Sequence, residues 1–537
     1  MIDEFQNWLD SPYISSKDKA KLKELNTEEI EHSFSKSLFF GTGGIRAKTK
    51  LGTSYLNKYT IQHIAFCYAH FLLENNTQQI NVCITYDNRK TSLDFAQIFT
   101  KILLKFNINV FCYLDIQPTP ILSYTIIHKK LSGGISVTAS HNPIEDNGVK
   151  FYNQCGSQLI SSETEKINKL MKQLSLYQSL KILNKKKHKN LGKVVYLDDS
   201  IYHHYLEDLN KNFPFTKRNN NISHFIYSPL CGTGNRIIPY IFKKMNYTLI
   251  PVKEEIHSDP NFAGIEIPNP EISAVYEKAK AISTKIDCDA ILVSDPDCDR
   301  IGIMVKYKGD FTYMSANQLA PVLLDYIINI KKIPNLIAFS TIVSSDLFKN
   351  MCKYYQIPYI ETLTGFKNIG NCISKIENEN LRIFAYEESL GYLFVNILKD
   401  KDAMQAALLI AEMITYYKSK NKNIISLYHQ LNERFGKINN YQIKAKINLD
   451  SKQRFIKIIE RFKKLTSDEL TKKGIKKIID FSNYECIHSD YNIKFKMSDK
   501  NMIKIELKND SWIIIRFSGT ENIIKYYFNI YKFPNKE

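Results

Sequence analysis

Four short polar clusters follow apolar runs, and each carries side chains capable of catalysis or ligand binding. The first, Thr-Ala-Ser-His-Asn-Pro at 138–143, is centred on the hydroxyl of Ser140. A serine beside His141 suggests a hydrolase, but the G-x-S-x-G elbow is absent, and adjacent side chains seldom face each other as nucleophile and base. An ordinary turn is the competing interpretation. Lys150 could return to this loop as a cation.

The second cluster places the carboxylates of Asp295, Asp297 and Asp299 directly after an apolar run. Three acidic groups so close together repel one another unless a cation lies between them, and hard oxygen ligands select Mg²⁺ or Ca²⁺. A calcium loop of the EF-hand type needs Gly and Glu where this chain has Arg300 and Lys306. The spacing therefore predicts a Mg²⁺ site, with a solvated acidic turn as the alternative.

The third cluster, Ala-Tyr-Glu-Glu-Ser-Leu-Gly at 385–391, offers Glu387 and Ser389 on a loop. Carboxylate and hydroxyl groups together suit recognition of hydroxyls, as on a sugar, although a surface turn would have the same composition. Polar side chains on segments before and after this loop could assist in binding: Thr364, Lys367 and Lys401.

The fourth cluster combines Arg516 with Ser518, Gly519 and Thr520. An arginine, small hydroxyls and backbone amides in one turn make a recess suited to phosphate, and a simple turn is again the alternative. Taken together, a serine hydroxyl, a divalent metal site, a hydroxyl-binding pair and a phosphate recess describe phosphoryl transfer to and from a phosphorylated polyol.

The elements that must position these clusters alternate between strand and helix. A strand at 80–86, a helix from Ser92 and a strand at 108–114 form a βαβ unit. Comparable apolar strands recur at 224–229, 289–294, 335–343 and 381–386. After a long helix near 402–418, residues 441–537 show short strands without a parallel repeat. The pattern predicts an α/β fold of three similar domains and a C-terminal α+β domain, with boundaries at 1–210, 211–318, 319–436 and 437–537.

Composition narrows the function classes. The 537 residues are 44% hydrophobic and 24% charged, and no apolar run approaches the roughly 20 residues that a membrane span needs. The N-terminus carries no secretory pattern, so we expect a cytoplasmic protein. The net charge of +18 could indicate nucleic acid, an anionic membrane surface or a phosphorylated substrate. The densest basic run, 185–189, is expected to be a solvated linker or helix end.

The four clusters, in this order, resemble the motifs of the α-D-phosphohexomutases, the family of phosphoglucomutases and phosphomannomutases. Similarity extends over essentially the whole chain, through segments at 40–46, 86–89, 268–271, 364–367 and 401–402. The segment Trp-Leu-Asp-Ser-Pro-Tyr at 8–13 resembles the subgroup of phosphoglucomutase-2 and phosphopentomutase-like enzymes. Three positions depart from the family pattern: Phe517 and Asn522 stand where prolines are usual, and Cys231 where histidine is frequent.

The resemblance implies four domains around a central active-site cleft and a role for each candidate residue. Ser140 would be a phosphoserine whose phosphate binds a single Mg²⁺ with Asp295, Asp297 and Asp299. Arg46 and Lys150 would activate or shield the reacting hydroxyl, and Arg300 would support the metal loop. The remaining candidates would bind substrate. Its hydroxyls would be bound by Glu387 and Ser389, and its non-reacting phosphate by Arg516, Ser518, Gly519 and Thr520. Other groups of the substrate would be bound by Thr364, Lys367 and Lys401.

The expected activity is interconversion of a sugar 1-phosphate and 6-phosphate, with glucose as the expected sugar and glucose 1,6-bisphosphate as activator and intermediate. Mutases of mannose or pentose phosphates, and a catalytically weak scaffold or sensor, are the alternatives within the family. Nucleic-acid binding driven by charge is an alternative outside it. Sugar phosphates are the expected partners, without nucleic acid or membrane, for a monomer or weak dimer.

Overall fold

The computed structural model describes residues 2–41, 43–75, 78–185, 191–217, 223–376, 382–446, 457, 459–462, 464–488, 493–497, 499, 501–517 and 523–532. The chain forms two compact units. The first contains Met1–Ile303 and Ile397–Leu408, and the second contains Met304–Asn396 and Leu409–Glu537. Each candidate site residue therefore belongs to one of the two units, and each unit is described separately below.

The first unit is built on a six-stranded sheet in the order β1-β5-β4-β2-β3-β6. Strand β2 pairs in parallel with β3 and β4, whereas β5 pairs antiparallel with β4 and β1. Every residue of β4 is buried, as expected for a central strand covered on both faces. The strands are β1 (Ile45–Lys48), β2 (Asn81–Tyr86), β3 (Asn109–Tyr113), β4 (Gly133–Val137), β5 (Asp146–Asn153) and β6 (Val194–Leu197).

Helices cover this sheet and form an N-terminal helical segment. Helix α5 buries Phe95, Phe99 and Leu103, which recur at helical spacing, and α3 begins with a capping box between Asn26 and Glu29. The helices are α1 (Ile2–Asp10), α2 (Ser16–Lys23), α3 (Thr27–Phe34), α4 (Lys58–Asn75), α5 (Ser92–Lys105), α6 (Thr119–His128), α7 (Ser161–Gln173), α8 (Leu176–Lys185) and α9 (Ser200–Asn212).

A second sheet contains the parallel strands β8, β7 and β9 of the first unit, with β10 next to β9; β10 begins in the first unit and continues into the second. All of β9 is buried, and the acidic cluster begins where this strand ends. The elements of this region are β7 (His224–Ser228), α10 (Gly234–Lys244), β8 (Thr248–Pro251), α11 (Glu277–Ser283), β9 (Ala290–Ser294) and β10 (Ile301–Tyr307).

The second unit contains a mixed sheet in the order β13-β12-β14-β15, in which β12 is parallel to β13 and β14. A capping box of Ser315 and Gln318 begins α12. The elements are β11 (Asp310–Met314), α12 (Ala316–Asp325), β12 (Leu336–Thr341), α13 (Asp346–Tyr354), β13 (Tyr359–Thr362), α14 (Phe366–Ile373), β14 (Arg382–Glu387), β15 (Gly391–Leu393), α15 (Ala403–Ser419) and α16 (Ile424–Phe435), of which α15 begins in the first unit.

The C-terminal part of the second unit is a purely antiparallel sheet in the order β16-β22-β21-β20-β17, next to a two-stranded ribbon, β18-β19. Its apolar core includes Ile503, Ile505 and Ile515. The elements are β16 (Ile438–Lys446), α17 (Ser467–Lys472), β17 (Ile475–Asp480), β18 (Tyr484–His488), β19 (Ile493–Met497), β20 (Met502–Leu507), β21 (Trp512–Phe517) and β22 (Ile523–Tyr531).

The predicted fold class is confirmed: three sheets contain parallel strands joined by helices, and the last sheet is antiparallel. The predicted domain boundaries stay a prediction. Among the described residues, no helix combines the length and the hydropathy that crossing a bilayer requires. Most of the basic run at 185–189 lies outside the described residues, as do Ser518, Gly519, Thr520 and Asn522.

Candidate active site

Ser140 lies in a tight loop at the end of β4. Its φ of 51° is left-handed, which is unusual for a residue other than glycine, and its backbone N–H donates to Thr138 Oγ1 at 2.8 Å. Such a backbone persists only when its surroundings hold it in place.

The guanidinium of Arg89 holds this loop. It donates four hydrogen bonds of 2.7 Å to backbone carbonyls, with Nη2 reaching Ser140 and Asn142 and Nη1 reaching Pro143 and Asp146. Arg89 is buried, and its Nε lies 3.3 Å from the buried carboxylate of Asp87. The sequence offered Arg89 only as part of a resembling segment. Its role in the loop depends on hydrogen bonds to residues more than fifty positions away.

The hydroxyl of Ser140 donates to Asp295 Oδ2 at 2.6 Å, so the first and second clusters meet. His141 Nδ1 lies 3.1 Å from the same hydroxyl. This differs from the expectation that neighbouring serine and histidine side chains do not face each other, since the two side chains are within hydrogen-bond distance. Ser140 itself is 1% exposed.

The acidic cluster occupies the turn between β9 and β10, and Asp295, Asp297 and Asp299 are all fully buried. One oxygen from each can be chosen so that all three lie within 4.8 Å of one another. Asp295 Oδ1 accepts the backbone N–H groups of Asp299 and Arg300 at 3.1 and 3.0 Å, which fixes the turn.

These carboxylates fit a hard divalent cation. Within the described part of the chain, the buried Oδ1 atoms of Asp297 and Asp299 accept no hydrogen bond, and unsatisfied buried acceptors are costly unless an ion binds them. An all-oxygen donor set is the one Mg²⁺ prefers. The three aspartates could therefore hold Mg²⁺.

Two lysines partly compensate the acidic charge. Lys150 Nζ, on β5, lies 2.6 Å from Asp297 Oδ2 and 2.8 Å from Asp299 Oδ2, and Lys401 Nζ lies 2.8 Å from Asp299 Oδ2. Burial and the charge of Asp299 favour the neutral acid, but Lys150 and Lys401 together outweigh them and hold the pKa of Asp297 below its usual value. Burial, together with the charges of Asp299 and Asp297, raises the pKa of Asp295 well above its usual value.

A threonine that the sequence analysis missed also holds the acidic loop. Thr119, at the start of α6, donates its hydroxyl to Asp297 Oδ2 and its backbone N–H to Asp297 O, both at 2.9 Å. Only the tertiary pairing of residues 178 positions apart reveals this contact. Sequence spacing contained no signal for it.

The segment around Lys401 is anchored on both sides by buried tyrosines. Tyr152 OH donates to Asp400 Oδ2 at 2.5 Å, and Tyr205 OH donates to Asp402 Oδ2 at 2.6 Å. These contacts place the ammonium group of Lys401 at the acidic cluster, although its sequence neighbours suggested no more than a nearby cation.

The two predicted arginines of this unit lie around the same cluster. Arg46, on β1, donates from Nη1 to Asn142 Oδ1 at 2.8 Å and so contacts the Ser140 loop. Burial lowers the pKa of Arg46, and the nearby charge of Arg300 adds to this. Arg300 Nε lies 3.8 Å from Asp299 Oδ1, and its Nη1 lies 3.9 Å from Glu271.

The sugar-recognition candidates lie in the second unit. Glu387 ends β14, is buried, and accepts the backbone N–H of Gly365 at 3.1 Å. Thr364 and Lys367, on either side of this glycine, are also buried. Ser389 is partly buried in the turn that follows β14. The segment at 364–367 and the Glu387 loop are therefore in contact.

Glu388, between Glu387 and Ser389, has a distinct environment. Thr341 Oγ1 donates to its Oε2 at 2.8 Å. Burial and the neighbouring charge of Glu387 raise the pKa of Glu388 to about 7, while Thr341 and Lys525 oppose the shift. Glu388 therefore titrates near neutral pH.

Arg516 is the penultimate residue of β21 and is opposite Lys525 of β22. Its Nε donates to Asp499 Oδ2 at 3.0 Å. Burial opposes its charge, yet Tyr527, Asp499 and Glu388 raise the pKa of Arg516 above its usual value. The other three residues predicted for the phosphate recess lie outside the described residues.

Comparison with known proteins agrees with this arrangement. Three profiles of phosphoglucomutase/phosphomannomutase α/β/α domains, I, II and III, match residues 37–178, 203–309 and 315–435. The chain belongs to the phosphoglucomutase/phosphomannomutase family. Members of this family are phosphotransferase isomerases of sugar phosphates, and the chain is an enzyme with phosphohexose mutase activity.

Individual relatives carry different substrate names. A phosphomannomutase of Mycoplasmoides pirum is 32% identical over 98% of this chain and 94% of its own length. A phosphoglucomutase of Staphylococcus aureus strain N315 is 30% identical over 94% of this chain and 91% of its own length. One relative is named for mannose and the other for glucose. The comparison therefore identifies the family of this chain and not its preferred sugar.

Solved structures share the fold at lower identity. A phosphoglucomutase/phosphomannomutase family protein of Burkholderia thailandensis superposes with a TM-score of 0.68 at 15% identity, covering 92% of this chain and 93% of that one. The N-acetylphosphoglucosamine mutase of Aspergillus fumigatus, in complex with GlcNAc-6P and magnesium, gives 0.52 at 14% identity, with 92% of each chain covered.

Proposed function

We propose that this phosphohexomutase interconverts glucose 1-phosphate and glucose 6-phosphate through phospho-Ser140 and a bound glucose 1,6-bisphosphate. The observation that supports the proposal is the 2.6 Å hydrogen bond from Ser140 Oγ to Asp295 Oδ2, one of the three buried aspartates. A phosphoryl group on that hydroxyl would lie beside the position at which the three carboxylates would bind a cation.

In the first half-reaction, the free hydroxyl of the sugar 1-phosphate attacks the phosphorus of phospho-Ser140. The new O–P bond forms as the bond to Ser140 Oγ breaks, and the proton of the sugar hydroxyl passes to Ser140 Oγ. The bisphosphate then reverses its orientation, and Ser140 Oγ attacks the other phosphoryl group. The bond between the sugar O1 and phosphorus breaks, and the serine proton passes to O1. One serine therefore serves both halves, which makes the reaction a net isomerisation.

Asp295, Asp297 and Asp299, with the phosphate on Ser140, would hold Mg²⁺, which neutralises charge on a phosphoryl group in transfer. Lys150 and Lys401 keep Asp297 and Asp299 paired and oriented. Arg46, bonded to Asn142 of the serine loop, is placed to shield the reacting hydroxyl. Arg300 steadies the metal loop beside Asp299.

Substrate orientation is assigned to the second unit. Glu387 and Ser389 would bind sugar hydroxyls in both orientations of the bisphosphate. Arg516, with Ser518, Gly519 and Thr520, would bind the phosphate that is not reacting, because an arginine fork and backbone amides suit a phosphate. Thr364 and Lys367, beside the Glu387 loop, complete the set.

A coupled assay tests this function. Glucose 1-phosphate is supplied with Mg²⁺ and a trace of glucose 1,6-bisphosphate, and a glucose 6-phosphate dehydrogenase reports the product. We expect turnover that a chelator abolishes and Mg²⁺ restores. The intact mass should carry an extra phosphate of about 80 Da that Ser140→Ala removes. Absence of turnover with every hexose and pentose phosphate would contradict the proposal and favour a scaffold or sensor.

Mannose is the second candidate substrate, since a relative of similar identity is named phosphomannomutase. The ratio of kcat/KM for glucose 1-phosphate to that for mannose 1-phosphate decides between them. A ratio below one would identify mannose 1-phosphate as the preferred substrate and would leave the proposed role of Ser140 unchanged.

A further inference from the structure

A polar row crosses the C-terminal antiparallel sheet. Asn440 of β16 is opposite Asn529 of β22, which is opposite Trp512 of β21. Directly opposite residues of antiparallel strands project from the same face of a sheet. The three side chains therefore lie side by side, and both Asn529 and Trp512 are almost completely buried.

Two residues of the region that the domain III profile matches, residues 315–435, contact this row. Asp346, at the start of α13, accepts on Oδ2 from Trp512 Nε1 at 2.8 Å and from Asn529 Nδ2 at 3.1 Å. The backbone N–H of Asp346 donates back to Asn529 Oδ1 at 3.1 Å. Asn317, on α12, donates from Nδ2 to Asn440 Oδ1 at 2.6 Å. We call Asn317 and Asp346, with these hydrogen bonds, the interdomain clamp.

One side of the clamp leads to the sugar-recognition loop. Asn317 Oδ1 accepts from Tyr386 OH at 3.1 Å and from the backbone N–H of Ser345 at 3.0 Å. Tyr386 directly precedes Glu387, and Ser345 directly precedes Asp346. The strand that carries Glu387 and the helix that carries Asp346 are thus tied to one amide side chain.

The other side leads to the phosphate-binding strands. Arg516 follows Trp512 by four residues on β21, and its partner Lys525 precedes Asn529 by four on β22. Because side chains alternate along a strand, an even separation keeps them on the same face. At about 3.4 Å per residue, the basic pair lies roughly 14 Å along the strands from the clamp.

We propose that Asp346 and Asn317 are positioning residues for substrate binding: they fix the C-terminal sheet on the region of residues 315–435, so that Arg516 keeps its register with the Glu387 loop. A substrate held by its hydroxyls at one end and its phosphate at the other needs a constant spacing between these two groups. This inference rests on the proposed function, since it assigns both ends of one substrate to this unit.

The proposal predicts that loss of the clamp weakens substrate binding and leaves the chemical step alone. Asp346→Ala removes the acceptor of three side-chain donors, Trp512, Asn529 and Tyr531, and we expect KM for the sugar phosphate to rise about tenfold with kcat within about twofold. Asp346→Asn keeps one acceptor oxygen and should raise KM only about threefold. The Mg²⁺ concentration for half-maximal activity should not change, since the aspartate triad lies in the other unit.

Asp468→Ala is the matched control, because Asp468 is also an acid in the first turn of a helix of this unit but is exposed. Its KM should equal that of the wild type. A fall in kcat at unchanged KM for Asp346→Ala would overturn the proposal, because that result indicates only a smaller folded fraction. If Asp346→Ala does not fold, Trp512→Phe, which loses one donor and keeps most of the ring volume, must raise KM.

Amide hydrogen exchange separates this inference from the proposed function. If the wild type turns over no sugar phosphate, the proposed function fails and the clamp is judged by exchange alone. Peptides covering 512–517 and 523–531 should exchange faster in Asp346→Ala than in Asp468→Ala. Equal exchange in the two variants would overturn the clamp, whatever the activity.

Discussion

Arg89→Lys should loosen the Ser140 loop more than any change of comparable size on the surface. The guanidinium donates four 2.7 Å hydrogen bonds to carbonyls of the loop and contacts Asp87 as well. A lysine keeps the positive charge beside Asp87 but offers three donors from one atom, which cannot reproduce the planar fork. At least two of the four loop contacts should therefore be lost.

The size of the effect follows from those two bonds. A hydrogen bond to a charged group contributes about 1.5–3 kcal/mol, so the gross loss is about 3–6 kcal/mol. Relaxation of the loop and entry of water recover part of this, which leaves roughly 2–3 kcal/mol. Since about 1.4 kcal/mol corresponds to a factor of ten, amides of the loop should open and exchange about 30- to 100-fold faster.

Hydrogen exchange of a peptide spanning residues 138–147 measures this loosening directly, and the phosphate content of Ser140 measures its consequence. Arg236→Lys is the control, because Arg236 makes a bidentate pair with Asp199 at 3.0 and 3.2 Å but is about one-third exposed. Exposed pairs contribute little, so this variant should leave the loop unchanged. If the loop exchanges less than about threefold faster in Arg89→Lys, its four hydrogen bonds to Arg89 do not hold it closed.

Two other changes probe the metal loop and the sugar-recognition loop. Thr119→Val removes the hydroxyl that donates to Asp297 Oδ2, and the Mg²⁺ concentration for half-maximal activity should rise about tenfold, as is usual when a partner of a metal ligand is lost; an unchanged Mg²⁺ titration would contradict this. Glu388 has its pKa raised to about 7, so the folded protein binds its proton more tightly than the unfolded chain does, and the wild type should lose stability as pH rises from about 4.5 to 7. The difference in Tm between Glu388→Gln and the wild type should therefore grow between pH 5 and pH 8, and a constant difference would show that Glu388 does not titrate in this range.

The net charge of the chain does not by itself identify what the basic residues bind. The net charge of +18 is compatible with several classes of partner. Three of the basic side chains, Lys150, Lys401 and Arg89, are instead buried against carboxylates or carbonyls, where their charge compensates polar groups of the protein itself. Net charge alone does not distinguish such internal compensation from a surface that binds anions, because the pairing is a property of the fold.

The family, the α/β class and the local clusters that carry chemistry are predictable from the amino-acid sequence alone. Asp295, Asp297 and Asp299 are recognisable because three carboxylates within five residues, directly after an apolar strand, indicate a metal site. Ser140 and the pair Glu387 and Ser389 are recognisable for the same reason. The strand and helix periodicities that place these clusters at the ends of β4, β9 and β14 are also local properties of the chain.

The distant groups that hold those clusters are identified by the folded structure and not by the sequence. Arg89 reaches the carbonyls of the Ser140 loop, Thr119 reaches Asp297, and Asp346 reaches Trp512 and Asn529 across separations of about fifty to nearly two hundred residues. Such pairings depend on how strands and helices pack, and packing energies sum over many contacts that no short spacing encodes. The chemistry of this enzyme is therefore visible in its motifs, whereas the geometry that orients it is visible only in the folded chain.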